Sequence, residues 1–251
     1  MKKKIFSSLT SISVVVPFYN EQNRLHFAFK NIETICRNTF FQKIEIIFVD
    51  DGSSDGSVKK IINFFKIIKK KNFSKNRKLK LIKLIKNRGK GFALKKGCLT
   101  AKNNWILTTD VDFSVPIIFL ARWIKLNYIS SQYNVYFGSR THTKSIVKSS
   151  THRLIIGKVF RLLISIFLGI KIKDTQCGFK LYEKLCAKKI FSKLTMYGFD
   201  HDLQIVLIAK KMNIKIRELP VIWKHINQSK LNLIKDSLKM LIGIFKLSFK
   251  K

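Results

Sequence analysis

The first half of the chain alternates short β-branched and aromatic runs with stretches in which apolar residues recur every three or four positions. The runs read as strands at Ser11–Val16, Ile44–Val49, Leu79–Ile85 and Trp105–Thr109, and the periodic stretches as helices at Glu21–Arg37, Ser54–Lys70 and Gly91–Lys102. Strand alternating with helix is the rhythm of a mostly parallel sheet covered by helices, so the expected class is α/β with a Rossmann-like sheet. After Pro116 the pattern changes to a helix, a strand near Asn134–Gly138, a long apolar helix from about His152, a helix over Gly198–Met212 and a strand-like run over Ile214–Trp223. Lys66–Lys80 reads as a basic loop. From Leu231 onward, Lys235, Lys239, Lys246 and Lys250 share one helical face, with Ile234, Leu238, Ile242 and Phe245 largely elsewhere. That amphipathic pattern suits a helix lying on a membrane surface, and equally one packed on the domain. The expected organisation is a basic tail over 1–10, one catalytic domain over 11–228 and a C-terminal amphipathic helix over 229–251.

Composition changes this picture in two respects. With 251 residues and 46% hydrophobic content, the chain can bury a single core. Its 50 Lys+Arg against 14 Asp+Glu give a formal charge of +36, which points to anionic partners such as nucleic acid, anionic lipid or a phosphorylated substrate. Lysine, isoleucine, asparagine and phenylalanine are all abundant, however, so lysine can fill solvated positions without a function, and the fourteen acids become the informative residues. No RNA-binding signature or base-stacking motif accompanies the charge, so a nucleic-acid-binding protein remains only the rival reading from another class.

Cys36, Cys98, Cys177 and Cys186 lack the spacing of a disulfide or zinc framework. The basic start and the run Ile5–Val16 imitate a signal peptide, but Ser and Thr interrupt the run and no small-residue cleavage site follows. Lys158 and Arg161 break the apolar stretch Leu154–Ile170, and no segment reaches the roughly 18 uncharged apolar residues of a spanning helix.

In open parallel sheets ligands bind beyond the carboxyl ends of the strands. Three clusters fall there: Pro17-Phe18-Tyr19-Asn20-Glu21, Asp50-Asp51-Gly52-Ser53-Ser54-Asp55 and Asp110-Val111-Asp112. Residues two apart in an extended chain point to one side, so Asp110 and Asp112 can approach one hard cation, Mg²⁺ or Mn²⁺, whose remaining positions suit water and substrate phosphates. Gly52 permits a tight turn after Asp51, which suits a base or ribose contact, while Asp55 suits the cap of the next helix.

These three clusters, in their order and spacing, resemble glycosyltransferase family 2 with its GT-A fold. Asn87-Arg88-Gly89-Lys90-Gly91, Gly138-Ser139-Arg140, Asp174-Thr175-Gln176-Cys177-Gly178-Phe179-Lys180 and Gln228-Ser229-Lys230 are similar to the branch of that family acting on dolichyl and polyprenyl phosphates. The resemblance implies that Pro17, Tyr19, Glu21 and Asp51 hold the nucleotide base and ribose, that Asp50, Lys90 and Val111 belong to the same donor site, and that Asp110 and Asp112 engage metal and diphosphate. Arg140 and Lys230 match positions contacting phosphates. Gly198-Phe199-Asp200-His201-Asp202 resembles the acceptor-side acidic segment, with Asp200 orienting or deprotonating the acceptor; a helix N-cap is the alternative role for Asp200. Asp112, Asp200 and Arg140 are therefore the expected catalytic residues.

Ser114 departs from mannosyl-transferring relatives, which carry a metal-binding Gln there; a counterpart of the N-terminal anchor of the eukaryotic glucosyl enzymes is not expected. The implied reaction is inverting transfer of glucose from UDP-glucose to a polyprenyl phosphate, by a peripheral protein on the cytoplasmic face of a membrane. The alternatives are another sugar such as mannose, or a saccharide hydroxyl as acceptor, which would need Asp200 or Asp202 as an obligate base.

Overall fold

The computed structural model describes residues 9–71, 76–148, 165–198 and 200–224. Strand β1 (Ser11–Phe18) leads through α1 (Leu25–Arg37) to β2 (Lys43–Asp50), and α2 (Ser57–Lys70) leads to β3 (Arg77–Lys83). Helix α3 (Lys90–Thr100) then precedes β4 (Trp105–Thr108), α4 (Ile118–Lys125), β5 (Val135–Ser139) and β6 (Ile146–Lys148). Next come β7 (Lys180–Glu183), α5 (Lys184–Lys193), α6 (His201–Lys211), β8 (Ile216–Pro220) and β9 (Ile222–Lys224).

Seven strands form one sheet in the order β3-β2-β1-β4-β7-β5-β8, and β6 pairs with β9 in a small second sheet. Every pairing of the large sheet is parallel except the two made by β7, which runs antiparallel between β4 and β5. Strands β1 and β2 are buried along almost their whole length, which is why they read as continuous apolar runs and not as alternating ones. Helices cover both faces, leaving two cores. One contains Val14, Val16, Ile46, Phe48 and Trp123, and the other Val15, Ile47, Ala93, Phe137 and Leu203.

Several boundaries differ from the sequence reading. Helix α1 begins at Leu25 because Glu21–Arg24 form a turn, the Arg24 and Leu25 N–H groups both donating to the Glu21 carbonyl. Helix α2 begins at Ser57, where Asp55 accepts from the Ser57 N–H, so Asp55 does hold this helix start. The ends of the basic loop expected over Lys66–Lys80 are instead the last turn of α2 and the first half of β3, while residues 72–75 lie outside the described residues; lysines alternate along this sheet-edge strand, where charge is tolerated and discourages edge pairing. Ile85, expected at the end of that strand, lies beyond it and is fully exposed. The run Ile214–Trp223 divides into β8 and β9 at Val221. Strand β7 and helix α5 were not anticipated. Of the apolar helix expected from His152, residues 165–168 are helical and the rest lies outside the described residues, as do residues 1–8 of the N-terminal tail and the C-terminal helix.

Candidate active site

At the carboxyl ends of β1 and β2 the two loops are laced together. Phe18 accepts from the Asp51 N–H, the Asn20 and Glu21 N–H groups donate to the Ser53 and Ser57 hydroxyls, and Asn20 Oδ1 accepts from the Ser54 N–H. Asp50 is buried and its Oδ1 takes the Ser53 N–H at 2.9 Å, which closes the turn. Asp51, also buried, accepts from the Arg88 N–H at 2.9 Å and the Gly89 N–H at 2.8 Å. Burial pushes its pKa up, and those two N–H groups offset only part of the rise. Gly52 adopts φ +78°, and a side chain there would meet the backbone of Lys86 and Asn87, so glycine allows loops 50–53 and 86–89 to touch. Pro17 lies one residue before the end of β1, in register with Val49, and Tyr19 is exposed at the rim.

Beyond β4 the acids do not lie on an extended strand, as the sequence reading assumed. The strand ends at Thr108, and Asp110–Phe113 form a tight turn closed by the Phe113 N–H to the Asp110 carbonyl at 3.0 Å, with Phe113 at φ +49°. This turn, and not strand alternation, brings the carboxylates of Asp110 and Asp112 near one another, while Val111 is buried in the core. Asp110 Oδ1 is 2.5 Å from Lys90 Nζ. Asp112 Oδ1 accepts from the Ser114 N–H at 3.0 Å and its hydroxyl at 2.8 Å, and Oδ2 lies 3.4 Å from Arg24. Arg24 is in turn held by both oxygens of Glu21 at 2.6 Å, so Glu21, expected at the nucleotide, reaches the acidic turn through Arg24.

The two aspartates are electrostatically unequal. Burial raises the pKa of each; Lys90 outweighs it at Asp110, holding that carboxyl below its ordinary value, whereas the charge of Asp110 adds to burial at Asp112 and drives it upward. Gly178 lies against Asp110, and a side chain there would overlap the carboxylate. The donor set fits a hard divalent cation: two carboxylates in a site where one resists ionisation beside the other, with glycine leaving space around them. Among the described residues no third His, Cys, Asp or Glu joins them, so other ligands would come from water or phosphate.

On the other side of the turn, Asp174 holds Arg140 by its backbone N–H at 2.7 Å and by Nε and Nη2, each at 2.8 Å. Arg140 overcomes the burial of Asp174 and keeps that carboxyl below its ordinary range. Glu218 on β8 accepts from the Lys173 and Asp174 N–H groups at 3.0 and 2.9 Å and so fixes the segment carrying Asp174. Below them Lys180, Asp202 and His201 form a buried cluster: Lys180 pairs with Asp202, and His201 Nε2 lies 3.3 Å from the same carboxylate oxygen without hydrogen-bond geometry. Burial opposes ionisation of Asp202, but His201, Lys180 and Lys90 outweigh it and lower its pKa to about 2. Asp200 precedes α6, half-buried, and its side chain makes no cap hydrogen bond to the helix.

The structure thus gathers Lys90, Asp110 and Asp112 in one cluster, with Glu21 reaching it through Arg24, and sets Asp50 and Asp51 into the adjoining turns. Lys230 lies outside the described residues. Arg24, Asp174, Lys180 and Glu218 carry the framework but were not singled out as site residues from the sequence, apart from Asp174 and Lys180 as ends of one motif.

A sheet reversed at one strand, with an acidic turn at its carboxyl edge, is the architecture of GT-A glycosyltransferases. Glucosyl-3-phosphoglycerate synthase from Mycobacterium tuberculosis, in complex with Mn²⁺, UDP and glucosyl-3-phosphoglycerate, superposes with a TM-score of 0.69 at 14% identity, covering 98% of this chain and 83% of that one. A mannosyltransferase from Pyrobaculum calidifontis, in complex with GDP-Man and Mn²⁺, gives 0.62 at 14% identity, covering 96% and 64%. The family described as glycosyl transferase family 2 matches residues 13–191, and the chain belongs to it. Among curated relatives, dolichyl-phosphate beta-glucosyltransferase of Saccharomyces cerevisiae is 33% identical, with 91% of this chain and 71% of the relative covered. The Homo sapiens protein of the same name is 35% identical, with 90% and 71% covered. The protein is a glycosyltransferase.

Proposed function

We propose that this chain transfers glucose from UDP-glucose to a polyprenyl phosphate of the dolichyl type, inverting the anomeric configuration, at the cytoplasmic face of a membrane. The observation that carries the reading is the charge layout around Asp110: a paired acidic turn facing Lys90, with Arg140 held beyond it by Asp174. Carboxylates for a cation–diphosphate complex and a guanidinium for a second phosphate are what a diphosphate leaving group and a phosphate nucleophile require. The relatives' names supply the sugar and the lipid.

Asp110 and Asp112 would hold Mg²⁺ or Mn²⁺, which supplies Lewis-acid stabilisation of charge on the departing diphosphate. Ser114, where mannosyl-transferring relatives carry a ligand, donates to Asp112 and orients it. Lys90 balances Asp110, and the donor-side loops carrying Pro17, Tyr19, Asp50 and Asp51 receive the nucleotide. Arg140, with Lys230, contacts phosphate. One oxygen of the lipid phosphate forms a bond to the anomeric carbon as the bond from that carbon to the diphosphate oxygen breaks; the electron pair leaves with UDP, and a β-linked product forms.

A phosphate monoester loses its second proton near pKa ~6, so this nucleophile needs no strong base, and Asp200 serves to orient it. Asp202, locked to Lys180 with its pKa lowered to about 2, is a poor base, which favours a phosphate over a hydroxyl acceptor. Peripheral attachment rests on the lipid acceptor and the positive charge; no helix among the described residues is long and apolar enough to cross a membrane.

The test is a panel of nucleotide sugars offered with a short polyprenyl phosphate, products being read by mass spectrometry. A hexosyl prenyl phosphate formed from UDP-glucose is expected. Preferred use of GDP-mannose would overturn the sugar assignment, and transfer only to saccharide hydroxyls would overturn the acceptor.

A further inference from the structure

Between the acidic turn and β9 lies a cleft whose lining includes Asp110, Ser114, Val115, Gly178, Phe179 and Trp223. Its lining mixes polar Asp110 and Ser114 with apolar Val115, Phe179 and Trp223. The half-buried Trp223 ring has its centroid 5.7 Å from the Arg140 guanidinium carbon. Both partners are fixed: Arg140 by Asp174, and β9 by the Lys224 N–H to the carbonyl of Ser114 at 3.0 Å, the same residue whose hydroxyl orients Asp112. The nucleotide-side loops follow β1 and β2, whereas Arg140 and Trp223 come from the opposite half of the sheet, around β5 and β8. Asp174 occupies the Nε–Nη2 edge of the guanidinium, so the edge bearing Nη1 turns away from that carboxylate.

We infer that Trp223 is a specificity-determining residue for the acceptor: beside a phosphate at Arg140, its ring packs the first apolar unit of the esterified alcohol, selecting prenyl phosphates over hydrophilic phosphate monoesters. The inference deepens the function proposed above and rests on it. An indole supplies a large rigid apolar surface at small entropic cost, and it tolerates the neighbouring cation through its ring face. A hydrophilic acceptor gains nothing from that surface.

Intrinsic fluorescence and kinetics test this in the full chain. Of its three tryptophans, Trp105 and Trp123 are buried, with 6% and 0% exposure, so Trp223 is the one placed to report on a ligand in the cleft. A ten-carbon prenyl phosphate is expected to shift the emission of the wild type and not of Trp223→Phe. Trp223→Ala is expected to lower kcat/KM for prenyl phosphate relative to glycerol phosphate about tenfold, chiefly through KM, with the dissociation constant for UDP unchanged. An equal emission shift in Trp223→Phe, an unchanged specificity ratio in Trp223→Ala, or a parallel loss of UDP affinity would overturn the inference. A wild type that binds UDP but neither binds nor glycosylates prenyl phosphate would instead overturn the underlying function.

Discussion

Gly178 touches the Asp110 carboxylate so closely that any side chain would displace it. Gly178→Ala is therefore expected to reduce transfer about a hundredfold or more while the protein still folds, because the loss falls on a carboxylate proposed to hold the cation that offsets the developing diphosphate charge. Circular dichroism and a steady-state assay on one preparation check both halves. Asp112 makes a different prediction. Burial and Asp110 raise its pKa, so its ionised form costs more in the folded than in the unfolded chain at neutral pH, a cost that fades as pH falls through its folded pKa. Asp112→Asn keeps an acceptor for Ser114 and removes the charge; it is expected to raise the melting temperature of metal-free protein while nearly abolishing transfer. A lower melting temperature would show that Arg24 and Ser114 stabilise the carboxylate more than burial destabilises it. At this scale Asp110 and Asp112 were legible in the sequence because acids are scarce and these two close an apolar run. Glu218 and Arg24 were not, because their roles depend on contacts 44 and 88 residues away.

Strand β7 shows why some elements escaped the sequence. Four residues, Lys180–Glu183, are too few for a periodic signal, and a lysine at a buried position argues against a central strand. That lysine is tolerated because Asp202, at the start of α6, neutralises it. Breaking the tie with Lys180→Met would leave a buried carboxylate uncompensated and is expected to destabilise by about 3–5 kcal/mol, with much of the loss recovered in Lys180→Met/Asp202→Leu. Urea denaturation of the three proteins measures this; a double variant no more stable than the single one would contradict it. Because the Asp202 pKa is lowered from 3.8 to about 2, its contribution is present above the unfolded value and lost as pH falls through that window. The strongly patterned elements, β1, β2, α1 and α2, were legible in kind. The starts of the two helices were not, since the turns at Glu21–Arg24 and Ser53–Gly56 are set by hydrogen bonds between and within loops.

For the molecule as a whole, the sheet sorts its tasks by side. In the proposed function, loops after β1 and β2 form the donor half, the turn after β4 supplies the acidic centre, and β5, β7 and β8 carry the acceptor half. The α/β class followed from the alternating pattern, and the GT-A assignment from motifs that the fold brings to one edge; the strand reversal at β7 required three-dimensional pairing to see. The surplus charge belongs to this scale too. The protein is expected to sediment with anionic vesicles and to be partly released by high salt, since lysines near such a surface contribute about 1 kcal/mol each under weak screening. Metal-dependent, inverting transfer of glucose to a lipid phosphate is tested most directly by anomeric NMR of the product formed from UDP-[1-¹³C]glucose and a short polyprenyl phosphate. A β-configured glucosyl phosphate formed with Mg²⁺ or Mn²⁺ and absent in excess chelator is the predicted result; an α-configured product, or undiminished transfer in chelator, would contradict it.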